Sequence, residues 1–294
     1  MNDVVIIGAG PAGITAAIQL KRYGFAPVLL ERGRLGGLLW NANLVENYPG
    51  FPNGIPGPKL VARFEHQMRR IGVSVTHGEV IGLDFDGEIF HVETHQDVYQ
   101  TRYAVIASGT KPKPIPLEIP AAARDKIFSE VYPLLTQRGR HIVIVGAGDA
   151  AFDYAMNLVR HNSVTILNRA TTIKCLPLLW ERAQGQAAIT YRDGIEIVRI
   201  AAISDSSGLR VESVQRDTAT HIECDYLLFA TGREPDLDFF SSQFRKKEQM
   251  LIETGRLYFI GDVKNNIFRQ TAIAAGDGMR AAMQIYAHLH GEEK

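Results

Sequence analysis

Cysteine and net charge are what this chain of 294 residues has least of. Its two cysteines, Cys175 and Cys224, lie far apart in sequence, so neither a disulfide framework nor a zinc spacing is present, and a reducing cytoplasm is the compartment that fits. No sign of charge is in excess. Lys+Arg and Asp+Glu number 32 each, so the chain as a whole has nothing to draw a phosphate polymer or an anionic bilayer, and neither nucleic acid nor membrane is expected as a partner. Long uninterrupted apolar runs are missing as well. The apolar start carries Asp3 where a signal peptide would be basic and is broken by Gly10-Pro-Ala-Gly13, so no targeting or membrane-spanning segment is read. There is no GxSxG elbow and no P-loop lysine. The pairs His91/His95 and His288/His290 lack acidic or Cys partners at ligand spacing, so no metal site is expected. What remains, 46% hydrophobic and 22% charged residues, belongs to a folded globular chain of roughly two domains.

The clearest positive pattern is a repeat. Val4-Val-Ile-Ile7 runs into Gly8-Ala-Gly-Pro-Ala-Gly13 and an Ala-rich helical stretch; Ile142-Val-Ile-Val145 runs into Gly146-Ala-Gly-Asp-Ala-Ala151 and another. A further apolar strand follows each (Pro27 to Leu30; Ser163 to Leu167), which is the opening βαβ of a dinucleotide fold. Alternating runs around turn residues predict small antiparallel inserts: Val80 to Phe85 against Glu88 to Thr94 across Asp86-Gly87, and Leu209 to Gln215 against His221 to Cys224. Each half then closes on a matching strand and tripeptide, Tyr103 to Gly109 and Tyr226 to Gly232. The predicted fold class is α/β, with two Rossmann-like dinucleotide-binding domains carrying these inserts. Residues 1–114 and 236–294 are expected to form the first domain, completed by a strand Leu257 to Ile260, the turn Gly261-Asp262 and a helix from about Thr271. Residues 115–235 are expected to form the second, inserted in the first.

The glycines have separate jobs. Gly8 permits the bend, Gly10 lets backbone approach a pyrophosphate, and Gly13 lets helix and strand pack closely. The following helix N-terminus offers free N–H groups and partial positive charge. Glu31 ends the second strand, placed to accept hydrogen bonds from ribose hydroxyls. The second turn, GxGxxA, has no acid there but Asn168, Arg169 and then Lys174, which suits a 2′-phosphate and therefore NADPH over NADH.

These motifs, together with Gly36-Gly37, Val45-Glu-Asn-Tyr-Pro-Gly50, Ala107-Ser-Gly109, Ala230-Thr-Gly232, Gly261-Asp262 and Arg269-Gln270, resemble the low-molecular-weight thioredoxin reductase-like flavoproteins over nearly the whole chain. The resemblance implies FAD in the first site, with Glu31 on the adenosine ribose, Asn47 near the flavin ring and Asp262 on the ribityl chain. Arg269, Gln270 and Thr271 would bring the last helix, whose N-terminus favours negative charge, to the isoalloxazine. Other implied FAD contacts are Gly8, Gly10, Pro11, Ala12, Gly13, Arg32, Gly37, Leu38, Val80, Ala107, Ser108, Gly109 and Gly261. The NAD(P) site would comprise Gly146, Gly148, Asp149, Ala150, Ala151, Asn168, Arg169, Lys174 and Gly232. A homodimer is implied too.

The chain departs from that family where electrons would leave it. Thioredoxin reductases carry a CxxC pair upstream of the second glycine turn, and the matching tetrapeptide here is Ser129-Glu130-Val131-Tyr132. Without a dithiol, exchange with a protein disulfide has no relay. Bacillithiol-disulfide reductases, relatives also without CxxC, carry a Cys in the first glycine turn, where this chain has Ala12. Tyr132 and Asp153, which matches a family Glu near the nicotinamide, are candidates beside the redox centre. The expectation is an FAD-dependent NAD(P)H oxidoreductase that passes electrons straight to an external acceptor: ferredoxin, flavodoxin, a quinone-like molecule or a small disulfide. The alternatives are a ferredoxin-driven flavoenzyme that does not use NADPH, and a non-catalytic FAD-binding or sensing protein.

Overall fold

The structure is a computed structural model that describes residues 2–203 and 208–291. The chain begins β1 (Asn2–Ile7), α1 (Pro11–Arg22), β2 (Val28–Glu31), α2 (Gly57–Ile71), β3 (Val75–His77), β4 (Val80–Phe85), β5 (Phe90–Thr94) and β6 (Val98–Ile106). It continues through β7 (Thr110–Pro112), β8 (Ile127–Phe128), β9 (His141–Val145), α3 (Asp149–Leu158), β10 (Ser163–Leu167), α4 (Pro177–Gln184) and β11 (Ile189–Arg192). Then come β12 (Ile195–Ala202), β13 (Leu209–Gln215), β14 (Thr218–Cys224), β15 (Tyr226–Phe229), β16 (Arg233–Pro235), α5 (Ser242–Glu253), β17 (Leu257–Phe259) and α6 (Thr271–His290). Two compact units result. One comprises Met1–Trp40, Val45–Lys111 and Glu234–Lys294; the other comprises Asn41–Leu44 and Pro112–Arg233. Nothing in the sequence signalled that Asn41–Leu44, numbered within the first expected domain, would group with the second unit.

In the first unit the strands run β3-β2-β1-β6-β5-β4, with β17 also on β6. β1 is parallel to β2 and β6, from Val5↔Val28 and Asn2↔Thr101 onward. The four residues at the end of β1 are buried, as a strand covered on both faces must be. The first insert differs from expectation, because it is no separate sheet. Val98–Ile106 has no Gly or Pro to break it, so β6 runs through: its first half pairs antiparallel with β5 and its second half parallel with β17. The second half of the chain does break at that point. Asp225 ends β14 and turns its carboxylate to the His141 N–H at 2.8 Å, so β12-β13-β14 stands as a sheet of its own beside β11-β10-β9-β15-β8. The sequence reading assigned nothing to α2, α5 or β12, although Ile195-Glu-Ile-Val-Arg-Ile200 carries partial alternation.

Each unit has its own core. Phe90, Phe244 and Leu251 anchor one, and Ile142, Phe152 and Ile166 another. α1 has Pro at its first turn and Lys21 and Arg22 at its last, and buries Ile14, Ala16, Ala17 and Leu20. α6 closes on Gly291 in the left-handed conformation. No helix among the described residues is long and apolar enough to cross a membrane.

α6 meets α1 through missing side chains. A Cβ on Gly278 would lie 2.2 Å from the Ala12 carbonyl oxygen, and one on Gly261 would lie 2.8 Å from the Ala12 Cβ. Ala12 belongs to the first glycine turn, so this contact places the last helix against it. Gly278→Ala therefore sets two effects against each other. Helix propensity favours Ala by about 1 kcal/mol, while forcing a methyl against backbone costs about 1–3 kcal/mol. The clash is expected to prevail, and chemical denaturation should show net destabilisation; an unchanged or higher midpoint would contradict the packing.

Candidate functional site

The first candidate site is built at the ends of β1, β2 and β6. Gly8 has φ +107°, and a Cβ there would fall 2.3 Å from the Ala107 carbonyl oxygen; a Cβ on Gly13 would fall 1.9 Å from the Gly8 carbonyl oxygen. Around Gly10 the imagined Cβ meets nothing within 4 Å, so the turn opens outward there. Gly10 caps α1, and Pro11 occupies a position whose N–H would be unpaired in any case. Glu31 accepts from Ala9 N–H and Gly33 N–H, each at 2.8 Å, one on each carboxylate oxygen. Each oxygen keeps a lone pair for a hydroxyl donor. Gly36 N–H donates to the Ala9 carbonyl at 2.8 Å, which brings Gly37 beside Gly10, with Leu38 next in the chain. An open cleft lies here, lined by Gly8, Glu31, Arg32, Val80 and Ser108 among others. The structure thus gathers these predicted residues in one place.

A second group lies at the start of α6. Asn47 donates through Nδ2 to the Gln270 Oε1 at 2.8 Å, which joins two predicted residues far apart in sequence. Gly261, with φ +73°, and Asp262 lie in a 3-10 turn ahead of Arg269 and Thr271. That turn depends on Asp277, which sequence reasoning missed. Buried inside α6, its carboxylate accepts from Gly261 N–H at 3.1 Å and Asn265 Nδ2 at 2.6 Å and pairs with Lys264 at 3.2 Å. A charged residue on the buried face of an otherwise Ala- and Gly-rich helix was the available signal.

The second glycine turn reproduces the first. Gly146 has φ +118°, and its imagined Cβ would fall 2.5 Å from the Ala230 carbonyl oxygen. Ala107 N–H donates to Ile7 and Ala230 N–H to Val145, both at 2.8 Å, so the two closing tripeptides end on equivalent bonds. Gly148 caps α3, Asp149 accepts Leu176 N–H at 2.7 Å, Ala150 is exposed and Ala151 is buried. Asn168 is spent on its own loop: it donates to Thr172 O and Tyr191 Oη at 2.9 Å and accepts from Ala170 N–H at 3.1 Å. Lys174 bridges to Gly148 through backbone, and Lys174 and Arg169 are both exposed. Gly232, with φ +110°, accepts Lys113 N–H.

The segment 129–132, upstream of the second glycine turn, is tied down. Glu130 pairs with Arg233 at 3.3 Å, Val131 is fully buried, and Tyr132 N–H donates to the Asn41 Oδ1 at 3.0 Å. Asp153 accepts Asn43 N–H at 2.8 Å, and Arg160 donates to the Asn43 Oδ1 at 2.7 Å. Both catalytic candidates, Tyr132 and Asp153, thus bond to Asn41–Leu44. Burial pushes the neighbouring Tyr154 phenol up to about 12. Of the thiols, Cys224 is buried and pushed up to about 12 by desolvation, and Cys175 is raised by partial burial and by Asp149.

Two βαβ units that present glycine turns at strand ends, each followed by a helix N-terminus, define a protein built on two dinucleotide-type sites. A family model, pyridine nucleotide-disulphide oxidoreductase, matches residues 2–278, and the chain belongs to that family. It is 31% identical to a thioredoxin reductase of Chlamydia pneumoniae, covering 98% of this chain and 99% of the relative. It is 29% identical to a thioredoxin reductase of Chlamydia trachomatis serovar D, covering 97% and 98%. Among solved structures, thioredoxin reductase of Lactococcus lactis in its FR conformation superposes with a TM-score of 0.87 at 26% identity, covering 99% of this chain and 100% of that one. The protein is a thioredoxin reductase-like oxidoreductase.

The surroundings of the two thiols can be checked directly. With its thiol pushed up by burial, Cys224 is held protonated at pH 8. Native protein is expected to react with a thiol reagent far more slowly than free cysteine and faster as pH rises, with both thiols titrating on denaturation. Rapid native labelling of Cys224 at pH 8 would contradict this.

Proposed function

We propose that the protein is an FAD-dependent NAD(P)H oxidoreductase that delivers electrons directly to an acceptor outside the chain. The observation that carries this reading is the pairing of two glycine turns of one construction with a sequence whose thiols form no CxxC and stand buried or half-buried with raised pKa. The first site fits FAD. Gly10 leaves open space where phosphates would lie, the α1 N-terminus offers unpaired N–H groups, and Glu31 keeps an acceptor on each oxygen. Asn47 and Gln270, already hydrogen-bonded to each other, and Asp262 on its Asp277-braced turn would hold the flavin end. Bound FAD supplies two-electron chemistry, accepting hydride from a nicotinamide and releasing electrons to the acceptor. The second site would hold NAD(P)H on Gly146, Gly148 and the α3 N-terminus, with Arg169 and Lys174 toward a 2′-phosphate.

Asn168 has no free donor for that phosphate, so discrimination falls to the two exposed cations. A small redox protein or a small molecule is the proposed acceptor. Ile273, Met279 and Met283 leave apolar side chains exposed on one face of α6, which supports a homodimer.

Anaerobic titration with NADPH and then NADH, followed at the visible flavin band, tests this. NADPH is expected to bleach the flavin at lower concentration than NADH. Lys174→Ala should raise the NADPH requirement about tenfold, the scale of one charge-assisted contact, and leave NADH unchanged. Flavin that stays oxidised with both nucleotides would overturn the reading.

A further inference from the structure

Asp236 follows the second crossing between units in sequence, immediately after β16, and nothing in its local sequence marks it as part of a nucleotide site. It is nevertheless buried in the wall of the first cleft. Its side chain is 5% exposed and pairs with Arg32 Nη2 at 2.5 Å, while Arg32 stays 54% exposed and faces Glu79 across 3.7 Å on its other nitrogen. Both Arg32 and Asp236 line the cleft together with Glu31.

Chain anchoring does not account for the carboxylate. The Asp236 backbone is already held, N–H to the Gly109 carbonyl at 3.1 Å and carbonyl from the Ser108 hydroxyl at 2.7 Å. Burying a carboxylate to hold a half-exposed arginine is a poor source of stability, since desolvation offsets the attraction. What the pair does accomplish is geometric. A guanidinium hydrogen-bonded at one edge by Asp236, with Glu79 3.7 Å from its other terminal nitrogen, is restrained in orientation while about half of the side chain stays exposed, and a planar cation held in this way is a surface for an aromatic heterocycle. Glu31, one residue before Arg32, stands where ribose hydroxyls would be received.

We propose that Asp236 is a positioning residue of the first nucleotide site, orienting the Arg32 guanidinium so that its face receives the adenine ring of the dinucleotide. This rests on the reading that the first site takes FAD. Arg32 makes the contact with the ring; Asp236 acts only through Arg32.

The test uses apoprotein prepared by flavin removal. FAD affinity is read from flavin fluorescence, ADP affinity from displacement of FAD, and apoprotein stability from thermal unfolding. Asp236→Asn, Arg32→Lys and Arg32→Met are each expected to weaken FAD and ADP by the same factor, about tenfold. The common factor arises because the loss lies wholly at the adenosine end, and Arg32→Lys keeps the charge but not the plane. FAD affinity unchanged in Asp236→Asn and Arg32→Met would overturn the proposal. So would weakened FAD with unaltered ADP, full affinity in Arg32→Lys, or an Asp236→Asn effect seen only as lost apoprotein stability. Should Asp236→Asn fail to fold, the two variants of the exposed Arg32 still decide. Wild-type apoprotein that takes up no FAD would instead refute the first-site reading, a distinct outcome.

Discussion

Backbone pressed on backbone, at a distance only glycine permits, is the contact from which both halves of this protein are organised. Gly8 against Ala107 and Gly146 against Ala230 leave no room for a Cβ, and both glycines hold φ values that L side chains rarely adopt. The contact requires the strand before the turn and the strand that closes the unit to be parallel neighbours, as β1 and β6 are, and as β9 and β15 are. Once they are, the helix after each turn starts at a fixed place with its free N–H groups at the strand ends. The α6 packing then follows, because Gly278 sits on the carbonyl of Ala12 within the same turn.

Carboxylates do much of the remaining positioning, and each acts on backbone. Glu31 bonds Ala9 and Gly33, Asp277 holds Gly261, Asp225 stops β14 and caps His141, and Asp153 receives Asn43. A buried acid is tolerated where several donors converge on it, since each replaces part of the lost hydration. The segment 129–132 follows the same logic. There an ion pair, a buried valine and a bonded tyrosine N–H hold the chain in place.

Much of this was legible beforehand, for identifiable reasons. The repeated strand, glycine turn and helix could be read because glycine spacing and β-branched runs are local signals, and the α/β architecture followed from them. The start of α6 at Thr271 was legible for the same reason. The fusion of the first insert into the main sheet was not, since that depends on which strand lies beside β6 rather than on β6 itself. Nor was the spending of Asn168 inside its loop, which takes a Tyr191 hydroxyl from another strand.

By itself, then, the sequence determined that there are two dinucleotide-type turns, that the chain has no CxxC, and that a second acid is missing where the second ribose would lie. Those are statements about residue type at short spacing, which local sterics and chemistry decide. Only the tertiary structure decided that Asn47 meets Gln270, that Asp277 braces the turn of Asp262, and that Asp236 reaches Arg32. Such pairs lie from 16 to 223 residues apart in sequence, and a carboxylate's role is set by which donors the packed backbone brings to it.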